Sequence, residues 1–312
     1  MNLPENSLYK VLAYYHITPL SDPKKEVLAH KEFFKDKDIT SRIYISEEGI
    51  NGQMCASLES ATAYMDWMQS KEEFKDMPFK LTPHHEQAFP RKVVKYRKQL
   101  VAYDRPVNMK KRGTHISPAK WKEMLKDDSK ILIDVRNDYE WKVGRFEGAE
   151  LPPYETFREF DEYAKELKDK VDPKETPVMM YCTGGIRCEF YSAALMEYGF
   201  EKVYQLDGGV INYGEKEGAD HWLGKLFVFD DRLVVPIADG ETKVIGQCHH
   251  CKMLYESYKN CANMDCNKLF ICCAGCLKEF AGCCSKECQC AERVRPYHHQ
   301  THKPFLRLHN YR

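Results

Sequence analysis

The sequence is poor in several features that would have narrowed its function. Lysines and arginines together number 47, and so do aspartates and glutamates, so global charge points to no partner and only local clusters can. No apolar run approaches the ~20 residues that a membrane-spanning helix needs. The opening residues, MNLPENSLYKVLAYYH, lack the charged start and long apolar core of a secretory signal. There is no nucleotide-binding glycine fingerprint, no flavin motif and no two-His-one-carboxylate signature. Internal repeats and low-complexity stretches are also missing. These absences predict a soluble cytoplasmic protein without a membrane partner. Cysteine is scarce over most of the chain: Cys55, Cys182 and Cys188 are the only three of the 14 before residue 248, and eleven crowd into 248–290. A chain of 312 residues without an export signal keeps its thiols reduced, so the late cluster suits metal ligation better than disulfides.

Periodicity divides the chain into an α/β multi-domain protein. LYKVLAYYHI reads as a strand, and PKKEVLAHKEFFKDKD as a helix with Pro23 in its first turn. ITSRIYIS and NGQMCAS form strands about an EEGI turn. Leu58, Ala61, Met65 and Met68 mark a second helix, and FKLTPHH another strand. The order β-α-β-β-α-β predicts a ferredoxin-like α+β domain over 1–104. A basic linker follows at 105–118. Strands KILIDVR, TPVMMYC and KVYQLDG alternate with helices over 119–218, which predicts a doubly wound parallel sheet. Residues 219–312 form a Cys-rich C-terminal region.

Residues 91–112 hold nine Lys/Arg against a single Asp104, a net of +8. A solvated edge strand and linker would account for this run. So would a contact to nucleic-acid phosphates, because clustered cations displace counterions. The candidates for such contacts are Arg91, Lys92, Lys95, Arg97, Lys98, Lys110, Lys111 and Arg112. The tail after Cys290, with four histidines and five Lys/Arg, is either a solvated end or a second basic surface.

The stretch YCTGGIRCEF ends a strand and begins a helix. Ligands of parallel sheets bind at the carboxyl ends of strands, and Cys182 sits at one. Thr183, Gly184, Gly185, Ile186 and Arg187 would form an anion cradle. The glycines let successive backbone N–H groups turn inward, the helix start adds its positive dipole end, and Arg187 adds a cation or a brace. A thiol on the floor of that cup ionises near neutrality. A bare core cysteine would need neither Gly-Gly nor an arginine beside it, so Cys182 is the candidate catalytic residue. Cys188 is either a resolving thiol or a packed side chain. The Cys-x4-Arg spacing is shorter than the Cys-x5-Arg loop that phosphatases size for phosphate.

Among the late cysteines, close pairs place two thiolates on one turn, as tetrahedral zinc requires. Cys248, Cys251, Cys273 and Cys276 would hold one structural zinc. Cys261, Cys266, either Cys283 or Cys284, and Cys288 would hold the other. Cys272 and Cys290 are left spare.

The Cys-x4-Arg loop, IDVRNDYEWKVGRFEGAELPP and YQLDGGVINY resemble rhodanese-domain signatures, which implies that Asp134 and Arg136 chiefly hold the fold together. Joined to EEGINGQ in the N-terminal domain and GCCSKEC in the tail, they resemble the bacterial tRNA uridine(34) hydroxylase family over about residues 8–290. That resemblance implies an oxidoreductase of tRNA modification that forms 5-hydroxyuridine at the wobble position, with molecular oxygen as co-substrate, the anticodon region as partner and Cys182 as catalytic residue. The loop chemistry alone favours a rhodanese-type sulfurtransferase carrying a Cys182 persulfide. An RNA- or protein-binding adaptor with an inert rhodanese domain is the third possibility.

Overall fold

The computed structural model describes residues 8–296, and their contacts separate into two compact units, 1–109 and 110–312. In the first unit, β1 (Tyr9–Ile17), α1 (Pro23–Phe33), β2 (Thr40–Ser46), β3 (Gly49–Ser57), α2 (Leu58–Gln69) and β4 (Lys80–His84) follow the ferredoxin-like order, and β5 (Lys92–Tyr96) comes after them. The sheet runs β4-β1-β3-β2-β5. Its first four strands are antiparallel, and β5 is added parallel to β2. Asp22 caps α1 by accepting the Lys25 N–H at 2.9 Å, with Pro23 next to it.

One sheet face and both helices form the core, with Leu12, Ile43, Ile45, Ile50, Phe34, Ala61 and Met68 all essentially inaccessible. Each large apolar side chain removed from water there contributes about 1.5–3 kcal/mol. Helix α1 stops at Phe33, five residues short of the predicted span, and its Leu28 is 65 % exposed. His30 takes the core position, bonded to the Glu26 carbonyl and the Tyr64 hydroxyl. The hairpin turn is narrower than expected. Glu47 and Glu48 alone make it, because Gly49 already pairs with Ser46 in β3.

The second unit contains β6 (Thr114–Ile116), α3 (Pro118–Met124), β7 (Ile131–Asp134), α4 (Asp138–Trp141), β8 (Gly144–Phe146), α5 (Phe160–Lys170), β9 (Val178–Tyr181), α6 (Ile186–Glu197), β10 (Val203–Leu206) and α7 (Gly209–Glu217). Strands β6-β10-β9-β7 form an all-parallel sheet. Strand β6 lies inside the stretch expected to be linker. It is only three residues long, and it is held as a strand by pairing with Tyr204–Leu206. Helix α6 is enclosed, with every residue from Arg187 to Leu195 buried. Asp134 and Arg136 clasp one another through two bonds of 2.8 and 2.6 Å, both fully buried, beneath the rings of Tyr181 and Trp222.

Beyond α7 the elements are short: β11 (Trp222–Gly224), β12 (Leu226–Phe227), β13 (Val234–Val235), β14 (Tyr258–Asn260), β15 (Leu269–Ile271), α8 (Ala274–Glu279) and α9 (Lys286–Gln289). Cysteines 248, 261, 272, 273, 276, 283 and 284 make up most of the buried cluster here. Among the described residues no helix is long and apolar enough to cross a membrane. Residues 297–312, which include the four tail histidines, lie outside the described residues.

Candidate functional site

Strand β9 delivers Cys182 to the carboxyl edge of the parallel sheet, and α6 starts three residues after Thr183. Gly185 holds φ at +109°, a value open to glycine, which turns its N–H onto the Cys182 sulfur at 3.1 Å. The loop is also gripped from outside. Val210 and Ile211 at the start of α7 donate their N–H groups to the carbonyls of Cys182 and Thr183, at 3.0 and 3.2 Å. That approach requires Gly209. Its φ is +68°, and a Cβ there would stand 2.6 Å from the Cys182 carbonyl oxygen and 2.7 Å from that of Thr183. With these carbonyls turned toward α7, the N–H side of the loop is left to the sulfur.

Cys182 is only 1 % exposed. Burial by itself would raise its pKa. The Cys188 thiol as donor, the Arg187 charge and the backbone N–H groups of Cys188 and Gly185 outweigh that and bring it down to about 5. Cys188, fully buried beside it, is pushed the other way by burial and by the neighbouring sulfur, and so keeps its proton. Arg187 does not reach openly into the cup. Its guanidinium forks onto the fully buried Glu140 carboxylate, one bond being 2.8 Å, and it also donates to the Thr183 hydroxyl at 3.4 Å. Thr183 donates to the same carboxylate at 3.2 Å. The expected brace is therefore a three-residue clamp. Sequence reasoning missed Glu140, and the only signal for it was its place three residues after Asn137, as the return partner of a capping box on α4.

The late cysteines gather into two groups of four, Cys248/Cys251/Cys273/Cys276 and Cys261/Cys266/Cys284/Cys288, whose sulfurs lie within 4.8 Å of one another. Individual separations are 3.8 Å for Cys251–Cys273, 3.7 Å for Cys266–Cys284 and 3.8 Å for Cys284–Cys288. Four sulfurs at the corners of a tetrahedron about an ion with ~2.3 Å bonds stand ~3.8 Å apart. The donor set therefore fits a thiophilic metal, and each group could hold one. The two groups share a local design: the Cys273 N–H points at the Cys248 sulfur and the Cys284 N–H at the Cys261 sulfur, each at 3.4 Å. Cys283 is outside both groups. Its neighbour Cys284 joins the group instead, while Cys283 is fully buried with its thiol near the Ala281 carbonyl. Cys272 is buried and Cys290 exposed, and neither joins a group.

The eight basic candidates are all exposed and are divided between the units, Arg91, Lys92, Lys95, Arg97 and Lys98 in the first and Lys110, Lys111 and Arg112 in the second. Two have local duties. The Lys92 ammonium donates to the carbonyls of Phe34 and Lys37 at 2.5 and 2.7 Å, closing the end of α1. Arg112 pairs with the buried Glu189 of α6 at 2.8 Å, and His115 bonds the same carboxylate, which raises the histidine's pKa.

Three family models match in succession: a UPF0176 acylphosphatase like domain over residues 9–100, a Rhodanese-like domain over 117–216 and a Rhodanase C-terminal model over 223–289. The chain is 62 % identical over 303 residues to the tRNA uridine(34) hydroxylase of Protochlamydia amoebophila, covering 96 % of this chain and 95 % of that one. The tRNA uridine(34) hydroxylases of Chlamydia felis and Chlamydia caviae are each 53 % identical over 304 residues, covering 96 % of this chain and 94 and 92 % of theirs. On identity of that extent, the chain belongs to the tRNA uridine(34) hydroxylase family.

Proposed function

We propose that this chain converts the wobble uridine of tRNA to 5-hydroxyuridine in the cytoplasm, with Cys182 as nucleophile and molecular oxygen as co-substrate. The observation that carries this is the identity of 62 % to a tRNA uridine(34) hydroxylase, sustained over 96 % of the chain. The Cys182 loop supplies what such chemistry needs, a thiolate at neutral pH with hydrogen-bond donors around it. Addition of that thiolate to uracil C6 places the electron pair on C5 and O4 as an enolate. Attack of C5 on oxygen gives a C5 hydroperoxide. Two electrons and two protons from a thiol-class reductant convert it to the C5 alcohol and water. Loss of the C5 proton then expels Cys182 from C6 and leaves 5-hydroxyuridine. Loop amides would face the developing charge, while Arg187, occupied by Glu140, acts on the sulfur through its field and by bracing the loop.

Nucleoside mass spectrometry of tRNA incubated with protein and oxygen checks this. The expected result is 5-hydroxyuridine from the native chain and none from Cys182→Ala, with exchange of the C5 hydrogen in heavy water when oxygen is withheld. Product formed by Cys182→Ala would end the proposal. The six-residue loop also favours a second chemistry, sulfur transfer through a Cys182 persulfide. Protein treated with thiosulfate and weighed intact would then gain one stable sulfur atom.

We also infer that each four-cysteine group holds zinc in a structural role. Four thiolates leave no open coordination position, so the ions would cross-link the C-terminal region and take no part in the reaction.

A further inference from the structure

Hydroxylation of uracil by molecular oxygen needs two electrons from a third party, and a second sulfur stands beside Cys182. The turn at Gly185 folds the chain back, so that Cys188, in the first turn of α6, faces the end of β9. Its thiol and its N–H both point at the Cys182 sulfur. Cys182 is 1 % exposed and Cys188 is fully buried, so bulk water does not separate them. Among the described residues of the second unit, every other cysteine lies at 248 or later, and eight of these stand in the two four-cysteine groups. A base bonded to Cys182 therefore has one further thiol next to it.

Two features suit Cys188 to reduction rather than to packing alone. One is a handover of charge. In the free chain, burial and the neighbouring thiolate hold the Cys188 proton in place. Once uracil C6 takes Cys182, that sulfur becomes a neutral thioether. The repulsion on Cys188 is gone, and the Arg187 charge that favoured the first thiolate acts on the second sulfur instead. Cys188 is thus held back while Cys182 must attack, and freed to react after Cys182 is occupied. The other feature is place. The hydroperoxide forms while the base fills the cup above Cys182, so an external thiol has to come past that base. Its distal oxygen hangs only a short chain of bonds from the Cys182 sulfur, which Cys188 already touches. A reactant held in this way avoids the entropy of a bimolecular encounter.

We propose that Cys188 is the reductant of the C5 hydroperoxide, and that each turnover ends in a Cys182–Cys188 disulfide. This rests on the tRNA reading above and names a second catalytic residue for it. A solvent proton completes the hydroperoxide. The Cys188 sulfur attacks the distal oxygen, the O–O bond breaks, and the Cys188 proton passes to the C5 oxygen. The products are the C5 alcohol and a Cys188 sulfenic acid. Loss of the C5 proton expels Cys182 as a thiolate, which attacks the Cys188 sulfur. The S–S bond forms, and the hydroxide that leaves takes up the C5 proton as water. Uracil and the thiol pair have then each given oxygen two electrons. An external dithiol restores the pair by exchange once the tRNA has left.

The test is a single turnover with the full-length protein, reduced, freed of thiol without air, and then given excess unmodified tRNA and oxygen. The native chain is expected to make one 5-hydroxyuridine and stop, resuming when dithiothreitol is added. Trypsin cuts after Arg187, so the peptides bearing Cys182 and Cys188 should stay joined after the turnover and separate on reduction. Cys188→Ser keeps a hydroxyl donor beside Cys182. It should retain the alkylation inflection near pH 5 and the oxygen-free exchange of the C5 hydrogen. Its product without added thiol should fall at least about 10-fold, because no thiol is then held in place. Loss of the C5 exchange along with the product would give Cys188 a role in poising the thiolate and overturn its role as reductant. Native turnover that leaves both thiols free would overturn it too, while the 5-hydroxyuridine formed upholds the tRNA reading. A native chain that makes no 5-hydroxyuridine even with dithiothreitol would remove that reading itself.

Discussion

Cys182, Arg187 and Glu140 form a chain of charge in which each member governs the next. The thiol is buried, yet its pKa falls from about 9 to about 5, because the donors and charge around it outweigh desolvation. The sign has two consequences. As a reactive group, Cys182 is a thiolate throughout the neutral range, so its alkylation by a small neutral reagent should show an inflection near pH 5, followed by mass spectrometry of the 181–190 peptide. An inflection near 8.5, the ordinary thiol range, would contradict the cradle. As a stability contribution, a depressed folded pKa means the thiolate stabilises the fold fully above about pH 9, and that contribution is lost as pH falls toward 5. Arg187→Ala should move the alkylation inflection upward, since its positive charge is one of the lowering influences. Glu140 is a different case. Replacing it by Gln leaves the Arg187 charge buried without its counter-ion, which should cost about 3 kcal/mol in denaturant unfolding. Glu140→Met joined with Arg187→Met should recover most of that stability and still lack a low-pH thiolate. Recovery of both would mean that the pair plays no part in poising the sulfur.

At the scale of elements, the loop is made by two glycine positions on different segments. Gly185 turns the chain at the start of α6, and Gly209 lets α7 approach the loop's carbonyls. Gly209→Ala should therefore combine a left-handed backbone cost of about 1–2 kcal/mol with a clash against Cys182 and Thr183, and should abolish activity. Gly148→Ala, at a similar φ of +71° but facing open space, should show the backbone cost alone. Equal unfolding energies and activities for the two variants would refute the packing argument. The contrast also shows what the sequence carried. YCTGGIRCEF disclosed its loop because glycine and cysteine are read locally, and strands β1 to β4 disclosed themselves by alternation. Glu140 was hidden because its partners, Thr183 and Arg187, are more than forty residues away. Strand β6 was hidden because three residues carry no periodicity, and its existence depends on β10. Lys92 and Arg112 looked like two more cations in a basic run. Only tertiary structure reveals that one closes α1 and the other serves Glu189.

For the molecule as a whole, the order of the cysteine pairs matters more than their number. Along the chain the pairs alternate: 248/251 and 273/276 meet in one group, 261/266 and 284/288 in the other. Each group therefore closes a loop that contains half of its partner, so filling one site shortens the chain that the other must close. This module also lies in the same compact unit as the parallel sheet. Tyr258 of β14 donates to the Tyr139 carbonyl of α4, and a cleft of about 870 Å³ is lined jointly by Tyr139, Trp141, Cys248 and Cys266. Helix α4 is the element that carries Glu140 to the Cys182 clamp, so the cysteine module and the thiolate meet through one helix. Elemental analysis should give two zinc ions per chain. A single Cys273→Ser change should lower the content below one, because losing the first site loosens the second. Chelation should in turn slow Cys182 alkylation at pH 6, as α4 loses its support and the clamp on Arg187 relaxes. A Cys273→Ser chain that keeps one tightly held zinc, with Cys182 reacting at its native rate, would show the two sites to be independent and the cross-brace to end within the C-terminal module.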